Sequence, residues 1–200
     1  MIRKKRRKKN PEKEIIEFLE DLKPYEDNIK IEFIGKGSFG ETYTFEIMSS
    51  KVLNNGEILK SGKYLLKRLI NRPSKHEITS LMILSKYGLI PKIYFIDKNH
   101  IIMKYIESVT LDSLIKNKYL SASAIKLIFN RIKELIKKWH YLGFYHGDLD
   151  NLDNILITKN KKVYIIDPGF DLESSFEENR DLETIEDREK FVIAMLRHKR

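Results

Sequence analysis

His146-Gly147-Asp148-Leu149, then Asn154-Ile155-Leu156-Ile157, then Ile165-Ile166-Asp167-Pro168-Gly169 is the stretch on which the fold turns. It sets two carboxylates and a carboxamide on short connections between apolar, strand-like runs. Connections of that kind can present hard oxygen ligands to Mg²⁺ and a proton acceptor to a hydroxyl, which is what phosphoryl transfer requires. Asp148 and Asp167 each follow or end an apolar run, and desolvating an acid there makes sense only if a metal or a substrate hydroxyl compensates it.

Upstream, the alternating run Ile29 to Ile34 leads into Gly35-Lys36-Gly37-Ser38-Phe39-Gly40 and resumes from Thr42 to Met48. A glycine motif that opens a helix belongs to a dinucleotide fold; between two strands it suits a flap whose bare backbone N–H groups approach nucleotide phosphates. Lys67 follows on the strand-like run Tyr64 to Ile70, where it can neutralise phosphates if an acid holds it. Glu77 is the candidate acid. Ser74-Lys75-His76-Glu77 is equally a capping box, in which Glu77 reaches back to the Ser74 backbone. His146 reads as a structural hydrogen-bonding residue, and the other histidines show no metal-ligand spacing.

The rest of the chain gives an α+β pattern. Helix is predicted over Ser74 to Tyr87, Leu111 to Ile115, Ser123 to Leu142 and Glu183 to His198, the long third helix carrying an apolar stripe that includes Trp139. Strands are predicted at Lys92 to Ile96 and His100 to Ile106. Asn154 to Thr158 pairs with Lys162 to Asp167, and turns at Asn54-Asn55-Gly56 and Ser61-Gly62 mark a small excursion. Asn10-Pro11-Glu12 opens an accessory helix over 11–24. The expected domains are a basic disordered tail (1–10), that helix, and one minimal domain over 25–200, divided near 106 into two lobes sharing a cleft.

Charge is concentrated at the start. Arg3 to Lys9 is seven consecutive basic residues, and without them the net charge of +9 falls to +2. The run reads as a solvated tail, a nuclear-import signal or a nucleic-acid contact, with the basic C-terminus as a shorter counterpart. No apolar run nears the ~18 residues of a membrane span. With no cysteine there is neither disulfide nor thiolate metal site, and the expected location is intracellular, cytoplasmic or nuclear.

Taken in order, the glycine loop, Lys67, Glu77, His146-Gly147-Asp148, Asn154 and Asp167-Pro168-Gly169 resemble the motif set of the protein-kinase superfamily. The resemblance implies a bilobal fold with a strand-rich N-lobe and a truncated helical C-lobe, using ATP and Mg²⁺. Gly35 to Gly40 would cover the phosphates, Lys67 would hold them and Glu77 would orient Lys67. Met103, Lys104, Tyr105 and Ile106 resemble the gatekeeper and hinge around adenine. Asp148 would accept the substrate hydroxyl proton, and Asn154 and Asp167 would hold Mg²⁺. Asp187 resembles the buried aspartate that braces the catalytic loop.

The departures bear on function. Asp148 to Asn154 spans one position more than the family usually has, which makes Asp153 the alternative ligand. Gly147 replaces an arginine, Asp150 a lysine and Pro168 a phenylalanine, and no Ala-Pro-Glu motif follows. The compact layout is similar to the kinase-like subunit of the KEOPS tRNA-modification complex and to small kinases of large DNA viruses. The expected activity is an atypical Ser/Thr protein kinase. The alternatives are a kinase-like ATPase subunit of a multiprotein complex, a small-molecule kinase and a nucleotide-binding pseudokinase. The many apolar residues of the last helix, Phe191 among them, suggest self-association or a protein partner there.

Overall fold

A computed structural model describes residue 18 and residues 30–37, 40–117, 120–168 and 180–197. The basic tail and all of the accessory helix except Phe18, a helical residue, lie outside these. The described residues form two compact units: those up to Pro73 together with Ile93–Tyr105, and Ser74–Lys92 together with those from Ile106 onward.

The first unit is built on a five-stranded antiparallel sheet in the order β1-β2-β5-β7-β6, with β1 Ile31–Lys36, β2 Gly40–Ile47, β5 Gly62–Leu69, β6 Ile93–Ile96 and β7 His100–Lys104. β2 and β5 pair along their whole length, from Gly40 opposite Leu69 to Ile47 opposite Gly62. Side chains alternate across a strand, so this register sorts the residues. Tyr43, Phe45, Tyr64, Leu66 and Ile102 form a buried cluster on one face, roofed by Leu53 and Leu59. Leu53 follows the excursion strand β3 Lys51–Val52, and Leu59 ends its partner β4 Ile58–Leu59. Leu66 and Ile102 have no exposed surface, and burial of that kind contributes about 1.5–3 kcal/mol per side chain. Phe18 joins the cluster, its ring stacked 4.0 Å from His100 and 5.6 Å from Phe95. Lys67 stands opposite Thr42 and Ile101, and Leu65 opposite Met103. Lys67 and Met103 therefore share the other face of the sheet.

Gly40 marks the tightest approach in this sheet. A Cβ there would lie 2.1 Å from the Arg68 carbonyl oxygen, so the pairing of β2 with β5 requires glycine at that position.

The second unit contains the four described helices: α1 Lys75–Lys86, α2 Leu111–Lys116, α3 Ala122–Tyr141 and α4 Arg180–Arg197. Ser121 caps α3, its hydroxyl accepting from the Ala124 N–H at 3.2 Å. The apolar stripe of α3 buries Ile125, Phe129, Ile132, Ile136 and Trp139. α3 packs on α4 and on a three-stranded antiparallel sheet, order β10-β9-β8, made by β8 Ser108–Thr110, β9 Ile155–Thr158 and β10 Val163–Ile165. Ile185 and Val192 of α4 are buried, and Glu189 meets Lys133 of α3 at 2.8 Å.

Several predicted boundaries shift, β1 running on to Lys36 and β2 beginning already at Gly40. The run read as one strand from His100 to Ile106 ends at Lys104, and Ser108–Thr110 is a separate strand belonging to the other unit. The last helix begins at Arg180, three residues before Glu183. β10 stops at Ile165, beyond which the Ile166 N–H turns to the Asn154 carbonyl at 2.9 Å.

Candidate active site

The glycine loop joins β1 to β2, and the Gly37 N–H donates to the Gly40 carbonyl at 2.9 Å. Open space surrounds the positions a Cβ would take at Gly35 and Gly37. Ser38 and Phe39 lie outside the described residues. Lys36, expected on phosphate, meets the Glu41 carboxylate at 3.5 Å. Glu41 also meets Arg68 at 3.4 Å and accepts from the Tyr43 hydroxyl at 3.1 Å. Register explains the row, because Lys36 and Arg68 are the cross-strand neighbours of Glu41 on its two sides. Lys67 and Met103 are half-buried, and Lys104 is exposed at the end of β7. Lys63 sits over the Tyr105 ring at 4.7 Å, and between Tyr105 and Ile106 the chain passes from one unit to the other.

Glu77 takes the capping role. Its carboxylate accepts from the Ser74 N–H, and the Ser74 hydroxyl accepts from the Glu77 N–H at 3.1 Å.

The second unit brings Asp148 and Asn154 together. The Asn154 carboxamide Nδ2 donates to the Asp148 carbonyl and to Asp148 Oδ2, both at 2.9 Å. The extra position is taken up by a 3₁₀ turn over Leu152–Asn154, started by Asn151, whose Oδ1 accepts from the Asp153 N–H at 3.2 Å. That turn buries Asn154 and leaves Asp153 exposed. Two further bonds tie this loop to the strand that leads to Asp167. The His146 ring Nε2 donates to the Ile166 carbonyl at 2.8 Å, and the Ile166 N–H donates to the Asn154 carbonyl.

The expected desolvation of the two acids is not what the structure shows. Asp148 and Asp167 are both exposed, while His146, Leu149, Asn154 and Pro168 around them are buried. Apolar strand residues bury the backbone supports and project the carboxylates outward. Asp167 adopts φ +52°, a left-handed conformation rare outside glycine and further restricted by the following proline. Strain of this kind is concentrated at functional positions.

Sequence reasoning misplaced the bracing acid. Asp187 is 77% exposed at its side chain and pairs with Lys190 at 3.0 Å. Asp181 does the bracing: its Oδ2 accepts from the His146 N–H at 2.7 Å and its Oδ1 from the Gly147 N–H at 3.1 Å, with His140 Nε2 at 3.3 Å. Burial pushes the Asp181 carboxyl upward, and these hydrogen bonds outweigh it and hold the group below its usual range. The signal was helical spacing. Asp181, Ile185, Glu189 and Val192 form one buried stripe, and 187 falls outside it. Gly147, at φ +75°, supplies the left-handed turn that lets consecutive amides reach one carboxylate.

The fold favours the neutral form of His146. Burial lowers its pKa from 6.5, against the opposing pull of the Ile166 carbonyl and of Asp181, Asp148 and Asp167. Neutral imidazole suits the geometry, with Nε2–H donating and Nδ1 accepting from the Asp148 N–H at 3.3 Å. Below pH 6.5 the unfolded chain takes up a proton that the folded ring resists, so stability falls with pH through that window. The urea midpoint should therefore drop between about pH 7.5 and about pH 5.5, and His146→Asn should flatten that dependence. An equal pH slope in the two proteins would refute a neutral His146.

The donor set at the second unit is oxygen only. Because Nδ2 of Asn154 is spent on Asp148, its Oδ1, which accepts from Asn151 Nδ2 at a long 3.5 Å, is the atom that would ligate, together with the Asp167 carboxylate. One carboxylate and one carboxamide oxygen fit Mg²⁺, which takes few protein ligands and keeps water and phosphate oxygens.

Residues 25–188 match the RIO domain, an atypical protein-kinase family. The chain is also similar to CBL-interacting serine/threonine-protein kinase 8 of Arabidopsis thaliana, at 27% identity over 147 residues. That alignment covers 68% of this chain and 31% of the plant protein, so the chain spans about a third of the length of that relative.

Proposed function

Because the chain belongs to the RIO-domain family of atypical kinases and ATPases, we propose that it transfers the γ-phosphoryl group of Mg·ATP to serine or threonine hydroxyls of a protein. The observation that carries this reading is the pair of 2.9 Å bonds from Asn154 to Asp148, on a loop tied through Ile166 to Asp167. Asp148 accepts the proton of the attacking hydroxyl, and Asn154 holds its carboxylate in place. Asn154 Oδ1 and Asp167 hold Mg²⁺, which when bound neutralises charge on the phosphate oxygens. Asp153, exposed in the 3₁₀ turn, is the alternative ligand. The glycine-loop backbone and Lys67 act on the phosphates, and Met103 to Ile106 contact adenine.

The second reading, an ATPase working inside a protein complex, is favoured by Phe191. This residue is 64% exposed beside a 380 Å³ cavity that also includes Asp150, a surface a protein partner or second copy would cover. Water would then replace the hydroxyl.

Radiolabelled ATP separates the readings. With Mg²⁺ and a generic basic protein, label should appear on serine or threonine; release of free phosphate alone would select the ATPase. Saturating Mg·ATP should also raise the melting temperature, by about 2.7 kcal/mol of stabilisation at a hundredfold excess over Kd, and Lys67→Ala should shrink that shift. An unmoved wild-type melting curve would remove the enzyme reading.

A further inference from the structure

Leu127 is the leucine of α3 that the core does not explain. The buried stripe runs through Ile125, Phe129, Ile132 and Ile136, and Leu127 lies off it, 46% exposed. Val109 on β8 is likewise 47% exposed. Both line one groove of about 510 Å³, completed by Leu114 on α2 and rimmed by Arg131, Lys159 and Lys161 against the single acid Glu107.

The turn that carries the two lysines is held by its backbone. The Arg131 guanidinium donates to the Lys161 carbonyl, fixing the β9–β10 turn where Lys161 takes φ +59°. The same turn is closed by the Lys161 N–H on the Thr158 carbonyl at 2.8 Å and the Thr158 N–H on the Lys162 carbonyl at 3.0 Å. The opposite wall is a sheet face, since Val109 and Ile157, which stand opposite one another on β8 and β9, both line the groove, and among the described residues β8 is the edge strand.

An aliphatic floor and a cationic rim select a particular ligand. An extended peptide laid along the groove would turn alternate side chains toward the aliphatic floor and the intervening ones outward, toward the lysines of the rim. Apolar residues answer the floor, and acids answer the rim. Nucleic acid matches less well, because bases are held by stacking on aromatic side chains and the lining has none. We infer that this groove docks an extended segment of a partner protein in which aliphatic and acidic residues alternate. Asp148 is not part of it, and the inference does not depend on catalysis.

The test uses the full chain without nucleotide and a fluorescein-labelled peptide, Asp-Leu-Glu-Leu-Asp-Leu-Glu-Leu, read by fluorescence anisotropy. Saturable binding that weakens with salt is expected, and a counterpart with lysine in place of each acid should not saturate. Leu127→Asp, at an exposed position, should weaken binding roughly tenfold or more, and so should Lys159→Glu combined with Lys161→Glu. Tyr141→Asp, at a site 90% exposed elsewhere on α3, should not. Failure of the acidic peptide to bind would overturn the inference, as would undiminished binding to Leu127→Asp. So would displacement of the peptide by an oligouridylate, or a dimer broken by Leu127→Asp with no peptide bound.

Discussion

Asp148→Asn is expected to lower phosphoryl transfer by roughly 10²- to 10⁴-fold, the range associated with a positioned general base. It should leave the Mg·ATP-dependent rise in melting temperature nearly intact. The side chain is exposed, and asparagine keeps an oxygen to accept from Asn154, so the fold has little to lose. Asp167→Asn should behave differently, weakening the Mg²⁺ dependence of nucleotide stabilisation itself. Comparing Asn154→Ala with Asp153→Ala completes the set: the first removes both bonds to Asp148, whereas the second removes an exposed carboxylate. If Asp148→Asn transfers phosphate at the wild-type rate, the proposed base is wrong. If Asp153→Ala is the more damaging of the pair, the ligand assignment reverses.

The largest effect on stability is expected at Asp181. Asp181→Ala strips the acceptor from the buried His146 N–H and the part-buried Gly147 N–H. An unsatisfied buried donor costs about 1–3 kcal/mol, so a loss of roughly 2–4 kcal/mol should appear in urea unfolding. Asp181→Asn keeps one oxygen and should lose less. Asp187→Ala removes a solvent-exposed pair with Lys190 and should stay within about 0.5 kcal/mol of wild type. Transfer should fall with Asp181→Ala as well, because the loop carrying Asp148 loses its anchor. Equal unfolding midpoints for the two alanine variants would return the bracing role to Asp187.

These contrasts show where sequence is informative. Periodicity located the strands of the first sheet and the long helix α3, because continuous apolar stripes leave few alternatives. It missed β8, three residues whose place is set by pairing with β9 and not by local pattern. The loop chemistry was legible as an ordered set of residue types, and the Asp148–Asn154 contact survived an extra position because a 3₁₀ turn absorbed it. Whether a carboxylate is buried was not legible. Asp148 and Asp167 follow apolar runs yet face solvent, since the runs bury their own side chains and not the acid at their end. Glu77 shows the same limit, because one tetrapeptide encodes both a cap and a potential ion pair and only the fold chooses.

The strand order β1-β2-β5-β7-β6 has a consequence for how the chain is made. β5 is completed at Leu69, but its second neighbour β7 begins only at His100, after the whole of α1. On a ribosome, β1, β2 and β5 therefore emerge as a three-stranded sheet whose open edge must wait for about thirty further residues, a delay of seconds at ordinary synthesis rates. Waiting edges invite pairing with other nascent chains. Lys63, Lys67 and Arg68 put three cations on that strand, and charges on an edge oppose such pairing. A fragment ending at Pro73 would preserve this vulnerable stage permanently, whereas one ending after Lys104 would contain every strand of the sheet.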